Sequence, residues 1–400
     1  MSPTRSLLLA LFAVPLLGGP FARGSVPFIR GDVNADGAVG IDDAVFLLSH
    51  FFVYGAPTPP CLDAGDIDDG SALNIADAVA LLGYLFVPGS PTPASPFPDC
   101  GTDPGNDTIS CLGPIASCDF ASEWVTDLAM PSPRGAHCGG VLDGRLHLFG
   151  GAASWTGGGT DGIHQIYDFD TGTWSTGAPV PDSNTWGAEG VVADDGRFYM
   201  IGGWPSGGTI ARAYDPTTDT WSSLPDVPWS FEYGHVVAAT PGQVHVIAGT
   251  GINHHAVYTI ASGSWSFAAP PPSYSYGMAG NAIGNTIAVM VGIGGVILTY
   301  DALTDSWSAP PAAPIPAYAP ATVAVDGRLT VISGTTDESG GNICTVQQFD
   351  LANETWTELT PIPTPRSWAV AVEWNDHVHV VGGFDLNNQA TPVHESLPTP

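Results

Sequence analysis

The segment Tyr167-Asp-Phe-Asp-Thr-Gly-Thr-Trp174 decides the fold, because its outline returns four more times along the chain. An aromatic residue stands seven positions before a tryptophan in Tyr167…Trp174, Tyr214…Trp221, Tyr258…Trp265, Tyr300…Trp307 and Phe349…Trp356. A β-prone run ending in glycine precedes each pair: Leu146–Gly151, Phe198–Gly203, Val244–Gly249, Ile287–Gly292 and Leu329–Gly334. A sixth such run, Val378–Gly383, lies near the C-terminus. Successive tryptophans are 42 to 49 residues apart. A unit of that length holds four short strands, and units set side by side bury large side chains that one unit alone leaves wet. The aromatics therefore read as packing between neighbouring sheets, and the glycines as tight turns closing the second strand.

This pattern resembles the kelch repeat, and the resemblance implies an all-β six-bladed propeller over residues 120–400. Three units depart from the Gly-Gly doublet, with Ala248-Gly249, Val291-Gly292 and Ser333-Gly334 in its place. The sixth unit has only Thr391–Leu397 left for a third strand and lacks its tryptophan strand. Ser122-Glu-Trp124-Val-Thr supplies such a strand at the other end, so an N-terminal strand around Trp124 is expected to complete the last blade and remove the sheet edges.

Each unit opens with a comparable pair: Arg134-Gly135, Trp186-Gly187, Tyr233-Gly234, Tyr276-Gly277, Tyr318-Ala319 and Trp368-Ala369. Kelch repeats carry Arg there, whereas five of these six units carry an aromatic. Aligned in this way, Arg134, Trp186, Tyr233, Tyr276, Tyr318 and Trp368 form one ring at the channel mouth. Flat rings beside a guanidinium suit stacking on a sugar, and Glu189, His137 and His235 follow on the same strands as polar neighbours. The alternative reading of these aromatics is packing between blades.

Residues 31–55 and 65–89 are two copies at an offset of 34. In each, an acidic loop precedes an apolar stretch of helical period: Val45, Leu48 and Phe52, then Val79, Leu82 and Phe86. The first loop offers Asp32, Asn34 and Asp36, a backbone carbonyl at Ala38 and then Asp43, with Gly37 at the sharp turn, which is a calcium-loop pattern. The second offers Asp66, Asp68, Asn74 and Asp77, but Gly70-Ser71 replaces its carboxylate-glycine step, so weaker binding is expected there. Asp at the twelfth loop position and one helix per loop resemble the dockerin type I module, an EF-hand-like pair of calcium loops. The resemblance implies a small α-helical domain over residues 28–119, Ca2+ as its ion, a cohesin-like protein as partner, and a setting in polysaccharide degradation.

The chain has 39 acidic residues against nine basic ones, a formal net charge of −30. That balance excludes a nucleic-acid partner, whose phosphates need a cationic face, and fits cation binding or a solubilising surface. Arg5 followed by the apolar run Leu7–Leu17 reads as a signal peptide within residues 1–24, too short to span a bilayer. The expected location is therefore outside the cytosol: extracellular, periplasmic or on the cell surface. No transmembrane segment is expected. Six cysteines fit an oxidising destination. Four of them, Cys61, Cys100, Cys111 and Cys118, allow three pairings, and Cys138 and Cys344 are either bridged or two buried thiols.

These readings converge on a secreted calcium-binding protein whose propeller binds carbohydrate or protein. Kelch propellers include galactose oxidase, whose copper site of Tyr, His and a Cys-linked Tyr has no counterpart here. They also include sialic acid mutarotases, so an epimerase-type enzyme is the alternative function. A non-catalytic protein-interaction scaffold is the third.

Overall fold

Six four-stranded antiparallel sheets follow one another between residues 125 and 398 of the computed structural model. The structure describes residues 28–97 and 124–399, apart from 36–38, 54–55, 57, 88, 96, 156–161, 182–184, 205–207, 232, 250–252, 293 and 337–340. The residues expected to form a signal peptide therefore lie outside it. Blade one runs outward through Cys138–Leu142, Arg145–Phe149, His164–Asp168 and Thr173–Thr176, and blades two to five repeat this order.

The seven-residue spacing has a direct structural cause. It spans a hairpin turn that sets the two aromatics opposite each other on adjacent strands, as in Tyr167↔Trp174, Tyr214↔Trp221 and Phe349↔Trp356. The rings of these three pairs lie 5.0, 5.2 and 5.0 Å apart, in the range where aromatic pairs gain about 0.5–1.5 kcal/mol beyond area burial. Each indole N–H then donates to a backbone carbonyl of the preceding blade's exit segment. Trp174 donates to Leu128, Trp221 to Ala178, Trp265 to Pro225, Trp307 to Ala269 and Trp356 to Pro311.

Trp124 completes the set by donating to the Thr360 carbonyl at 3.0 Å. Val125–Thr126 pairs with His394–Pro398, so the sixth sheet is assembled from both ends of the propeller.

The first residue of the glycine doublet takes a left-handed backbone, φ +66° at Gly150, and a Cβ there would meet Thr185 Oγ1 at 2.0 Å. Ala248 and Ser333 hold the same turn at +58° and +57°. Ser333 is secured by donating to the Ile343 carbonyl and accepting from the Arg366 backbone. At Val291 the strand simply continues.

Upstream lie helices α1 (Ile41–Phe52), α2 (Leu62–Gly65) and α3 (Ile75–Phe86). Val33, Ala44 and Leu47 pack with their copies Ile67, Ala78 and Leu81 in one buried cluster. The stripe named from periodicity is therefore corrected: Val45, Phe52, Val79 and Phe86 face solvent, because the buried stripe lies on the neighbouring positions. Cys61 is disulfide-bonded. Cys100, Cys111 and Cys118 lie outside the described residues, while Cys138 and Cys344 are free, buried thiols. Among the described residues, no helix is long and apolar enough to cross a membrane.

Candidate functional site

The inner strands enclose a channel of about 350 Å³, and its neck is a ring of backbone hydrogen bonds. The N–H of Trp368 donates to Ala319, that of Ala136 to Trp368, and that of Gly187 to Ala136. These residues share a left-handed turn with Gly234 and Gly277. The turn corrects the alignment of the mouth positions by one residue in two blades. Gly135 and Ser367, not Arg134 and Trp368, occupy the places of Trp186 and Tyr318, as their matching bridges to Ala152, Phe384, Trp204 and Thr335 show.

Arg134 thus leaves the ligand ring. It is buried, and its guanidinium donates to the carbonyls of Gly150 at 2.7 Å and Ser132 at 3.3 Å. Arg366, one residue before Ser367, plays the corresponding part in blade six: it donates to the Val380 carbonyl and pairs with Glu395. Trp368 sits where the other blades have Gly or Ala, with φ +55°, a conformation costing on the order of 1 kcal/mol or more for a bulky residue.

That turn lays the Trp368 indole among its neighbours. Its ring lies 5.4 Å from Trp155, 6.1 Å from Trp186, 6.4 Å from Tyr318 and 6.5 Å from Tyr233. Trp186 and Trp368 are each only 8% exposed. The aromatics at this end close on one another as a plug, and the packing alternative holds for Trp186, Tyr318 and Trp368. Tyr276, 40% exposed, and Trp204, 43% exposed, keep open faces.

His137, Glu189 and His235 line the channel beside Cys138. Burial pushes the Glu189 carboxyl up to about 8. Burial, with the Arg134 charge added, pushes His137 down to about 3, and burial pushes His235 down to about 4. The Cys138 thiol is raised by burial and by Glu189. At neutral pH these groups are predominantly uncharged. The opposite end is acidic, with Glu373 exposed on its strand. Arg145 and Arg328 pair there with Asp168 and Asp350 at the surface, as their Asp-Gly-Arg turns imply.

In the helical region the two loops share one bonding scheme. Asp43 accepts from the Val33 and Gly40 backbone, and Asp77 accepts from Ile67 and Asn74 at the same offset. Carboxylate oxygens of Asp66, Asp68 and Asp77 lie within 4.8 Å of one another. Asp66 Oδ2 is buried with no hydrogen-bond donor. Burial, with Asp66 and Asp68 alongside, raises Asp77 to about 6. Three converging carboxylates with an orphaned oxygen fit a hard divalent cation.

The Asn74 amide oxygen caps α3 by accepting from the Ala76 N–H, so here it faces the helix end. Asp69 turns to Arg30 at 3.1 Å. In the first loop, Asn34 donates to Asp42, and Asp43 is raised by burial and by Asp32. Asp36 and Ala38 lie outside the described residues.

Sequence reasoning missed three buried histidine pairs. His147 and His164, His245 and His255, and His379 and His394 meet through Nδ1 and Nε2 at 2.9, 3.0 and 3.0 Å. Their signal was present: His recurs in Leu146-His147, Val244-His245 and Val378-His379, each with a second His on the following strand.

Known proteins agree with this geometry. No family model matches the chain. It is 24% identical over 313 residues to Kelch-like protein terF of Aspergillus terreus, covering 67% of this chain and 65% of that protein. Kelch-like protein 35 of Mus musculus is 28% identical over 167 residues, covering 40% and 29%. Kelch-like protein 36 of Bos taurus is 24% identical over 277 residues, covering 68% and 39%. The chain therefore spans less than two thirds of each of these relatives. The solved structure described as "Structure of YjhT" aligns with a TM-score of 0.58 at 15% identity, covering 67% of this chain and 95% of that one. Repeats, sheets and relatives together define a six-bladed β-propeller of the kelch-repeat kind.

Proposed function

We propose that this chain is a secreted, non-catalytic docking protein in which a calcium-held helical module recruits one protein and the kelch propeller presents a face to another. The observation that carries the reading is a duplicated apolar surface. Ile41, Val45, Phe52 and Val53 on the first copy match Ile75, Val79, Phe86 and Val87 on the second, and all eight are exposed. Exposed apolar groups repeated by an internal duplication are costly to leave in water and mark a surface meant to be covered. Their position on α1 and α3, behind the two acidic loops, supports a cohesin-like partner. Calcium, when bound, neutralises the clustered carboxylates; Asp66, Asp68 and Asp77 would hold it in loop two, and Asp32 and Asp43 in loop one. The Cys61 disulfide supports an oxidising destination.

The test is calorimetric titration with Ca2+, reversed by EGTA, followed by capture on immobilised recombinant cohesin-type modules. Calcium heat with capture that fails in Phe52→Ser/Phe86→Ser supports the reading. Absence of calcium heat defeats the metal part, and capture indifferent to the double substitution defeats the docking part.

A glycan reading of the propeller draws on the exposed faces of Tyr274, Tyr276 and Trp204. It predicts retention on a glycan array that Tyr276→Ala abolishes. The mutarotase alternative predicts faster anomer exchange of sialic acid.

A further inference from the structure

The three histidine pairs occupy equivalent places, each pressed against the Tyr–Trp pair of the next blade. In two of them a carboxylate from that next blade stands nearby but is already engaged. Asp219 Oδ1 takes the Ala178 N–H at 2.7 Å and the Tyr214 hydroxyl at 2.8 Å. Asp305 Oδ1 does the same with Ala269 and Tyr300. Blade one has Gly172 at the matching position, five residues after Tyr167. At the join of blades six and one the carboxylate comes instead from the N-terminal strand, as Asp127.

We propose that Asp127, His379 and His394 form a binding site for a borderline divalent transition metal of the zinc class, placed at the join that closes the propeller ring. Asp127 Oδ2 lies 3.6 Å from His379 Nδ1 and 3.6 Å from His394 Nε2, and the two nitrogens are 3.0 Å apart. Donors bound tetrahedrally at about 2.0–2.1 Å from one ion stand about 3.3–3.5 Å from each other. The triangle therefore needs only tenths of an ångström of adjustment.

Asp127 Oδ2 is buried and faces the two imidazole nitrogens at 3.6 Å, just beyond full hydrogen-bond distance. The segment is fixed by the Asp127 N–H donating to the His394 carbonyl at 2.9 Å. His164 and His255 turn Nδ1 to the carbonyls of Ala178 and Ala269, whereas His394 Nδ1 is buried with no partner at hydrogen-bond distance. With the His394 proton on Nδ1, the Nε2 lone pair is left for the metal. His379 and Ser396 both support the Asp127 carboxylate. On binding, the proton shared between the two rings moves to His379 Nε2, which frees the two facing nitrogens for the metal. Nitrogen donors exclude calcium as the occupant, since that ion takes oxygen ligands. Three protein ligands leave a fourth position for water.

The experiment uses the full chain saturated with Ca2+, so that the acidic loops do not take up the probe. Zn2+ retained after gel filtration is counted, and Co2+ is titrated while its visible ligand-field absorption is followed. One Zn2+ per folded chain and a tetrahedral cobalt spectrum are expected. Asp127→Asn, of the same shape, should weaken cobalt binding at least tenfold, whereas Asp305→Asn at an engaged pair leaves it unchanged. Circular dichroism confirms that each variant is folded. A folded wild type that takes up neither ion overturns the proposal, as does binding that survives Asp127→Asn or falls equally in Asp305→Asn.

Discussion

Between blades one and two, a histidine pair, a Tyr–Trp pair and an aspartate all come from consecutive stretches of chain, and Asp219 is bound by the hairpin that carries it. Between blades six and one the histidines and aromatics recur, but Asp127 arrives with the N-terminal strand, from more than 250 residues away in sequence. The contiguous interface is covalently committed to its partners. The other must hold its last strand, Val125–Thr126, by side-chain anchors, because a two-residue strand has few ladder bonds of its own.

The largest effect should come from loosening that anchor. Trp124→Ala removes a buried indole and its hydrogen bond to Thr360, and should cost about 3–5 kcal/mol, read as a fall in the urea midpoint. Trp221→Ala, whose strand stays tethered, should cost less. Equal losses would erase the distinction between a strand tethered within its blade and the closing strand.

Acid should probe the contiguous pairs. Burial lowers His147 and His245 to about 3, and His164 and His255 to about 4. The unfolded chain then binds more protons than the fold below the usual histidine value. Their stability is complete above pH 6.5 and drains away as pH falls toward 4, on the order of 1–3 kcal/mol per histidine. Thermal melts at pH 7, 5.5 and 4.5 check this, and His245→Gln should flatten the profile. Glu189 carries the opposite sign. Raised to about 8, it favours the fold below pH 4.5, and that contribution is lost as pH rises through 8. Glu189→Gln should therefore raise the melting temperature at pH 9 by several degrees and change little at pH 5. The smallest effect belongs to the Arg145–Asp168 surface pair, where Arg145→Ala should leave the urea midpoint unchanged within error.

The blade number and the closing strand were legible because Tyr–Trp spacing reports a hairpin register, which is a local property. The mouth was misread by one residue in blades one and six. Similarity of side chain aligned Arg134 and Trp368 with Trp186, whereas the fold aligns them by backbone conformation, and a left-handed tryptophan leaves no mark in a sequence. The apolar stripe of α1 and α3 was misassigned for a related reason: periodicity gives a face, but not whether a neighbour covers it. Each histidine was visible alone, and its pairing arises only when two strands are laid in register. Asn74 reads equally as cap or ligand, because capping and coordination ask for the same amide oxygen.

The placement of Val125–Thr126 also bears on mechanics. If the helical module is gripped by one partner and the propeller by another, tension between them enters the ring at its narrowest fastening and pulls on a strand two residues long. The join would then release before any other blade, turning a closed ring into an open-ended one under load, with Trp124 as its latch.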